Sequence, residues 1–194
     1  VQTCALPIFS KPSTSHFVIV DKDGNAVSMT STVEGPFGSH LMAGGFILNN
    51  ELTDFSMLPE LNGRKIANRV EPNKRPMSSM TPTIIFKDKN LFALTGSPGG
   101  TSIINYVTKS VLGLIDWGLD PSEVTELPHY MNRGNYTELE KNTVLENLET
   151  ELESLGHPIK IQNKRSGLHI ALKKDNGYVG AADPRREGLV IPIN

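Results

Sequence analysis

Cysteine is almost absent from this chain, which contains only Cys4 among its 194 residues. One cysteine permits no disulfide within the chain and says little about the redox compartment. Long apolar runs are absent as well, since none approaches the roughly 18 residues that a membrane-spanning helix requires. No charged stretch followed by an apolar run opens the chain, so an exported protein would carry its signal peptide upstream of Val1.

An excess of positive charge is also missing, because 19 Lys and Arg residues against 21 Asp and Glu residues give a net charge of -2. No basic run is interleaved with aromatic residues, and both observations argue against a nucleic-acid surface. The five histidines are too scattered to form a metal site, and no Cys/His cluster exists. We therefore expect no metal and no cofactor, and we interpret these histidines as structural or surface residues: His16, His40, His129, His157 and His169.

What the chain does have is the composition of an ordinary globular protein, with 38% hydrophobic and 21% charged residues. The length fits one domain, and no internal repeat is visible. Residues 1–8 stand apart, because they resemble a peptide translated from sequencing-adapter DNA at the broken end of an assembled contig. We expect residues 1–8 to be non-native, and the alternative is an ordinary disordered terminus.

The strongest local signal is a β-hairpin. Residues 16–21 and 25–33 have the composition of strands, and Asp23-Gly24-Asn25 between them is typical of a hairpin turn. This pairing would let the hydroxyls of Thr14 and Thr32 face each other. A threonine hydroxyl is a poor nucleophile without a base, but its own α-amine can serve as that base once the bond before Thr14 is cut.

Farther along, glycine-rich turns at residues 35–39 and 43–45 precede a long loop at residues 57–75. Further strands are predicted at residues 83–86, 91–94, 159–161, 168–172 and 178–181. Apolar periodicity predicts helices at residues 103–118, 121–127 and 145–155. This mixture of hairpins and helices predicts an α+β architecture built on sheets.

Seven ordered motifs give the chain a resemblance to the gamma-glutamyltransferases, also called glutathione hydrolases, of the N-terminal-nucleophile hydrolase superfamily. The resemblance runs from Thr14 to the C-terminus and corresponds to the small, catalytic subunit of that family. The motifs are Thr14-Ser15-His16, residues 20–27, Leu48-Asn49-Asn50, Asp54-Phe55-Ser56, residues 74–80, Ser97-Pro98-Gly99-Gly100 with the preceding Gly96, and Asp183-Pro184-Arg185-Arg186.

The resemblance implies a stacked αββα fold shared by two subunits of one precursor, which cuts itself before Thr14. Residues 9–13 would then be the end of the large subunit, residues 14–194 the small subunit, and the rest of the large subunit the missing partner. It also implies a periplasmic or secreted location in a bacterium. We expect the chain alone to be inactive, because strands that should meet the large subunit would expose edges and apolar faces.

The resemblance also implies a role for nine residues. Thr14 would be the nucleophile and Thr32 its hydrogen-bond partner, while the N–H groups of Gly99 and Gly100 would form the oxyanion hole. Glu51 and Asp54 would hold the α-amino group of a donor glutamate, and the hydroxyls of Ser78 and Ser79 its α-carboxylate. Glu34 stands where many members have Asn, and its carboxylate could also bind the donor ammonium.

Two more departures concern the substrate pocket. The loop at residues 57–75 has no tyrosine, although members with a lid carry one there, so the pocket would be more open. The arginine that pairs with the donor α-carboxylate belongs to the large subunit, and none of Arg64, Arg69 or Arg75 is assigned its role. For Arg185-Arg186, a salt-bridged structural turn is favoured over an anion site.

The function implied by the resemblance is removal or transfer of the γ-glutamyl group of glutathione and related small molecules to water, amino acids or peptides. Two alternatives remain open. One is the same machinery acting on another acyl group, as in the related cephalosporin or glutaryl acylases and poly-γ-glutamate-processing enzymes. The other is an inactive truncated product.

Overall fold

The computed structural model describes residues 14–192 and divides them into two compact units. One unit contains Thr14 and Ser31–Ser79, and we call it the Thr14 unit. The other contains Ser15–Thr30 and the chain from Met80 onward, and we call it the sheet unit. None of the helices in the described part of the chain is both long and apolar enough to cross a membrane.

Short strands dominate the described residues. In chain order they are β1 (Ser15–Val20), β2 (Ala26–Ser31), β3 (Met42–Ala43), β4 (Phe46–Ile47), β5 (Glu60–Leu61), β6 (Arg64–Lys65), β7 (Thr83–Lys87), β8 (Asn90–Gly96), β9 (Tyr130–Asn132), β10 (Thr137–Glu140), β11 (Ile159–Gln162), β12 (His169–Lys174) and β13 (Gly177–Ala182). The α-helices are α1 (Ile103–Ile115), α2 (Pro121–Glu126) and α3 (Glu149–Ser154), and 3-10 helices lie at Glu51–Asp54, Gly100–Ser102 and Val144–Leu148.

The sheet unit is built on a four-stranded antiparallel sheet with the order β13-β12-β8-β7. The hairpin β1-β2 contacts it through β1, which packs on β8 and β12. Helices α1 and α2 pack on the same sheet and bury a small apolar core made of Ala93, Leu114, Val124, Ile170 and Leu172. A second sheet has the order β11-β10-β9, with β10 parallel to β11 and antiparallel to β9.

The sheet unit contains a buried polar network that begins at Lys109 of α1. Lys109 Nζ lies 2.7 Å from Nδ1 of His129, and His129 Nε2 lies 2.7 Å from the hydroxyl of Ser166. Ser166 in turn donates to the Asp183 carboxylate at 2.5 Å. Burial, followed by the charge of Lys109, lowers the pKa of His129 to about 2, so this ring is neutral.

The Thr14 unit has little core of its own. Among its described residues only Thr14, Gly38 and Phe55 are buried. The strands β3-β4 and β5-β6 form two-stranded hairpins of two residues a strand. Many large apolar side chains of this unit are exposed, among them Phe37, Leu41, Met42, Phe46, Leu52 and Met57.

The structure confirms most of the predicted elements and corrects others. The structure contains the predicted hairpin, the predicted strands before and after the long loop, the helix that follows Gly100 and the short helix that begins at Pro121. The helix predicted over residues 145–155 is wrong in its first part, because Val144–Leu148 is a 3-10 helix and α3 begins only at Glu149. Tight 3-10 turns are common at helix N-termini, and Glu146 N donates to Thr143 O in that pattern at 3.2 Å.

Strands β9 and β10 and the short hairpins were not predicted. β10 carries Glu138 and Glu140, which are 3% and 6% exposed, and a sequence with two glutamates gives no apolar strand pattern. Arg185 pairs with Glu140 and with Asp183 Oδ1 at 3.1 Å, which confirms the salt-bridged turn expected for it.

The contact between β1 and β8 predicts a packing effect at Gly96. The His16 side chain, 5% exposed and 2.8 Å from the Thr30 hydroxyl through Nδ1, occupies the space that a Cβ of Gly96 would need. Gly96→Ala is therefore expected to reduce the free energy of unfolding by roughly 1–3 kcal/mol, measured by urea denaturation. In a His16→Ala background the same change should cost much less, and equal costs in both backgrounds would contradict the packing account.

Candidate active site

Thr14 and Thr32 lie side by side in the Thr14 unit. Thr14 precedes β1 directly and Thr32 follows Ser31 at the end of β2, so pairing of these strands brings both residues to one end of the hairpin. The Thr14 hydroxyl donates to Thr32 Oγ1 at 3.0 Å, and Thr14 is only 8% exposed. The predicted meeting of the two hydroxyls is confirmed.

The turn of this hairpin is held by one side chain. Asp21 Oδ1 accepts hydrogen bonds from the N–H groups of Asp23 at 2.9 Å and Asn25 at 2.8 Å. Asn25 Nδ2 also donates to Asp21 Oδ2 at 2.8 Å. Such local bonds from an aspartate are the usual way in which an Asx turn closes a hairpin, and they set the strand register that places Thr14 opposite Thr32.

Thr32 also orients the chain that follows it. Its Oγ1 accepts a second hydrogen bond, from the N–H of Glu34 at 2.9 Å. Glu34 has a positive φ of 71°, which is uncommon for a residue with a side chain. Its carboxylate accepts from Asn50 Nδ2 at 2.7 Å, and Asn50 Oδ1 accepts from the Gly35 N–H at 2.9 Å. Asn50 thus ties the Glu34 turn to the 3-10 helix that carries Glu51.

Three carboxylates share this part of the Thr14 unit: Glu34, Glu51 and Asp54. Burial, then the charge of Asp54 and then that of Glu34, raise the pKa of Glu51. Glu51 Oε1 is buried and has no hydrogen-bond partner within the described residues. A buried carboxylate oxygen without a hydrogen-bond donor is unfavourable. A cation placed beside it would offset both the cost of desolvation and the repulsion among the three carboxylates. The cluster can therefore hold an ammonium group.

The remaining predicted site residues of this unit are Ser78 and Ser79. Both lie at the end of Ser31–Ser79, where Ser78 is exposed and Ser79 is half-buried. Their role toward a carboxylate stays a prediction.

Gly99 and Gly100 belong to the sheet unit, where they join β8 to α1. Their φ angles are 142° and 58°, in the region that favours glycine. They open the 3-10 helix Gly100–Ser102, which continues directly into α1, and N–H groups at the start of a helix have no carbonyl partner within the helix. Two such N–H groups at the positive end of a helix are suited to stabilising a developing negative charge.

Two residues to which the sequence analysis gave no role support the predicted site residues. Asn50 bridges Glu34 and Gly35, and Arg133 bonds the two residues that follow Gly100. Asn50 lies in a motif, which was a usable signal, whereas Arg133 lies more than 30 residues from its partners and carries no local signal. Within residues 14–192, no group of three or more His, Cys, Asp or Glu side chains could hold a metal ion.

Comparison with known proteins identifies the family. The family model described as Gamma-glutamyltranspeptidase matches residues 3–193. The chain is 40% identical over 189 residues to the glutathione hydrolase proenzyme of Bacillus subtilis strain 168, covering 93% of this chain and 31% of that protein. It is 39% identical over 187 residues to the Escherichia coli K12 glutathione hydrolase proenzyme, covering 91% of this chain and 32% of that protein.

A solved structure agrees with these relatives. A mutant of Helicobacter pylori gamma-glutamyltranspeptidase is 35% identical and superposes with a TM-score of 0.76, covering 88% of this chain and 99% of that chain. The likeness confirms the α+β fold of N-terminal-nucleophile hydrolases. The chain spans about a third of the length of the curated relatives that it matches. The matched family model and the identity to these relatives show that this chain belongs to the gamma-glutamyltranspeptidase family.

Proposed function

We propose that this chain is the catalytic part of a precursor that cuts itself before Thr14 and then transfers γ-glutamyl groups from glutathione and related donors. The observation that carries the proposal is the buried hydroxyl of Thr14 held 3.0 Å from Thr32 Oγ1. A threonine placed in this way becomes an N-terminal nucleophile once the bond before it is cut.

The reaction needs a base, and cleavage supplies it. The freed α-amine of Thr14 has a reference pKa of roughly 7.7–8.0, so it can accept the hydroxyl proton near neutral pH. The Thr14 oxygen then attacks the γ-carbonyl carbon of the donor. The bond to the leaving amine breaks, the ammonium of Thr14 returns a proton to that amine, and a γ-glutamyl ester remains on Thr14. Water or an acceptor amine then attacks the ester and restores the hydroxyl.

The N–H groups of Gly99 and Gly100 would stabilise the oxyanion of each tetrahedral intermediate. Glycine at both positions lets the backbone approach the substrate closely. In that role they act on a charge that exists only near the transition state, and the expected consequence is an effect on kcat more than on KM.

The acidic cluster would select the donor. Glu34, Glu51 and Asp54 would surround the α-ammonium of the donor glutamate, while the Ser78 and Ser79 hydroxyls would donate to its α-carboxylate. The raised pKa and the unpartnered oxygen of Glu51 support this role, because both are relieved when a cation binds.

The partner in this proposal is the large subunit of the same precursor. The Thr14 unit buries few side chains, and the hairpin β1-β2 exposes one row of apolar side chains, Phe17, Ile19, Val27 and Met29. Apolar surface of this kind marks a surface that another protein segment covers. The expected inactivity of the chain without the large subunit follows from this proposal.

A glutamate substitution tests donor selection. In the full-length precursor, Glu51→Gln is expected to raise KM for a γ-glutamyl anilide at least about tenfold, since an ion-assisted hydrogen bond is lost. A glutaryl anilide has no α-ammonium, and its KM should stay within about twofold. Rapid turnover of the glutaryl compound alone would overturn the γ-glutamyl proposal in favour of a related acylase.

The same variant predicts a pH effect. In the wild type, kcat/KM for the γ-glutamyl donor falls on the acid side as the Thr14 amine gains a proton, and it should fall more steeply as pH decreases through the raised pKa of Glu51, because protonation of Glu51 removes the charge that attracts the ammonium. In Glu51→Gln the decline caused by the Thr14 amine should remain and the steeper part should be lost, whereas an unchanged steeper part would show that another group causes it.

A further inference from the structure

We propose that Arg133 is a positioning residue that holds the turn at Gly99 and Gly100 in the geometry needed for an oxyanion hole. The proposal rests on the proposed function, in which these two glycines donate their N–H groups to the oxyanion. It adds a side chain from a distant part of the sheet unit to that site.

The contacts of Arg133 converge on the residues directly after the glycine pair. Its Nη1 donates to Thr101 Oγ1 at 2.9 Å, and its Nη2 donates to Ser102 Oγ at 2.6 Å. Both acceptors lie in the 3-10 helix Gly100–Ser102, and Ser102 is buried. The planar guanidinium therefore bonds two successive side chains of one turn, and a single ammonium group cannot reproduce that geometry.

The other side of Arg133 is anchored in the second sheet. Its Nε lies 3.0 Å from Glu138 Oε1, and the other oxygen of Glu138 pairs with Lys164. Burial opposes the charge of Glu138, but hydrogen bonds from Lys164 and Arg133 outweigh it, and the pKa of Glu138 is lowered. The backbone N–H of Arg133 also donates to the backbone carbonyl of Tyr136 at 2.8 Å. The buried carboxylate of Glu138 thus holds the Nε side of the guanidinium, while its two Nη atoms bond the turn.

Of the two glycines, Gly100 is the one that needs this support. The Tyr106 ring fills the space in which a Cβ of Gly99 would lie, so Gly99 is packed. Apart from its own turn, no described residue has an atom within 4 Å of the position of a Cβ on Gly100, so packing restrains Gly100 less. The bonds from Arg133 restrain the next two residues, and thereby limit the directions that the Gly100 N–H can take. Small misplacements of catalytic groups can reduce rates by up to about a hundredfold.

The test compares Arg133→Met and Arg133→Lys with Lys174→Met in the processed enzyme. Lys174 pairs with Asp120 on the surface of the same unit at 2.7 Å and serves as a matched loss of one cation. Active sites are counted from the burst of anilide released, so that kcat is obtained for each competent site. We expect kcat to fall about tenfold or more in Arg133→Met, with KM for the γ-glutamyl donor within about twofold.

Arg133→Lys should recover only part of the loss, and Lys174→Met should keep the wild-type kcat. If Arg133→Met fails to fold or to mature, the double variant Thr101→Val with Ser102→Ala removes the same two bonds and should lower kcat per active site in the same way.

Wild-type kcat per active site in these variants would overturn the positioning role, even if their thermal stability fell. That result differs from failure of the proposed function, which would appear as an inactive wild type or as full activity in Thr14→Ala.

Discussion

Thr14→Ala in the full-length precursor is expected to abolish both cleavage before residue 14 and γ-glutamyl transfer. The physical reason is that the hydroxyl bonded to Thr32 at 3.0 Å is the proposed nucleophile of both reactions. Removing a nucleophile that forms a covalent intermediate leaves only residual rates, so we expect a loss of at least about a thousandfold in kcat. Gel electrophoresis of the precursor and an anilide-release assay measure the two effects.

The control for this variant is Thr14→Ser, which keeps a hydroxyl at the same position. It should retain detectable cleavage and transfer, because serine can also act as an N-terminal nucleophile. A Thr14→Ala protein that matures and turns over donor at the wild-type rate would contradict the assignment of Thr14.

Gly99→Ala is expected to cause the second-largest loss of activity. The φ of Gly99 is 142°, and an alanine Cβ would lie 2.6 Å from Tyr106 Cε2, so the turn has to move. Displacing one oxyanion donor typically reduces kcat by about 10²–10³. Steady-state kinetics of the processed enzyme should show this loss in kcat with little change in KM.

Gly100→Ala provides the comparison at the adjacent residue. Apart from its own turn, no described residue has an atom within 4 Å of its Cβ position, so the strain of a φ of 58° is what opposes the substitution. That strain is on the order of 1 kcal/mol. We therefore expect a much smaller loss than in Gly99→Ala, and equal losses in both variants would contradict the account of Gly99 packing against Tyr106.

The parts that could be predicted from the sequence are those determined by local patterns. The Asp23-Gly24 turn between two strand-like runs predicts the hairpin, and the hairpin alone places Thr14 opposite Thr32. The helix after Gly100 follows from apolar spacing, and glycine at its start is compatible with the positive φ angles observed there.

The parts that could not be predicted depend on long-range charge pairs. β10 contains two buried glutamates, and their partners Lys164 and Arg185 lie more than 20 residues farther along the chain. A buried carboxylate without such a partner is strongly destabilising, and no local sequence pattern predicts which residues the partners are. The same holds for Arg133, which meets Thr101 across 32 residues. The acidic cluster is an intermediate case, since its residues lie in motifs but the buried oxygen of Glu51 is visible only in the structure.

The role of Thr14 is tested most directly by identifying the residue that becomes acylated. The processed enzyme is mixed with a γ-glutamyl donor, quenched in acid during the burst, digested, and analysed by mass spectrometry. We expect one γ-glutamyl group to be attached, through the Thr14 hydroxyl, to a peptide that begins at Thr14. A γ-glutamyl group on any other residue, or turnover by an enzyme whose chain is still continuous across the bond before Thr14, would contradict it.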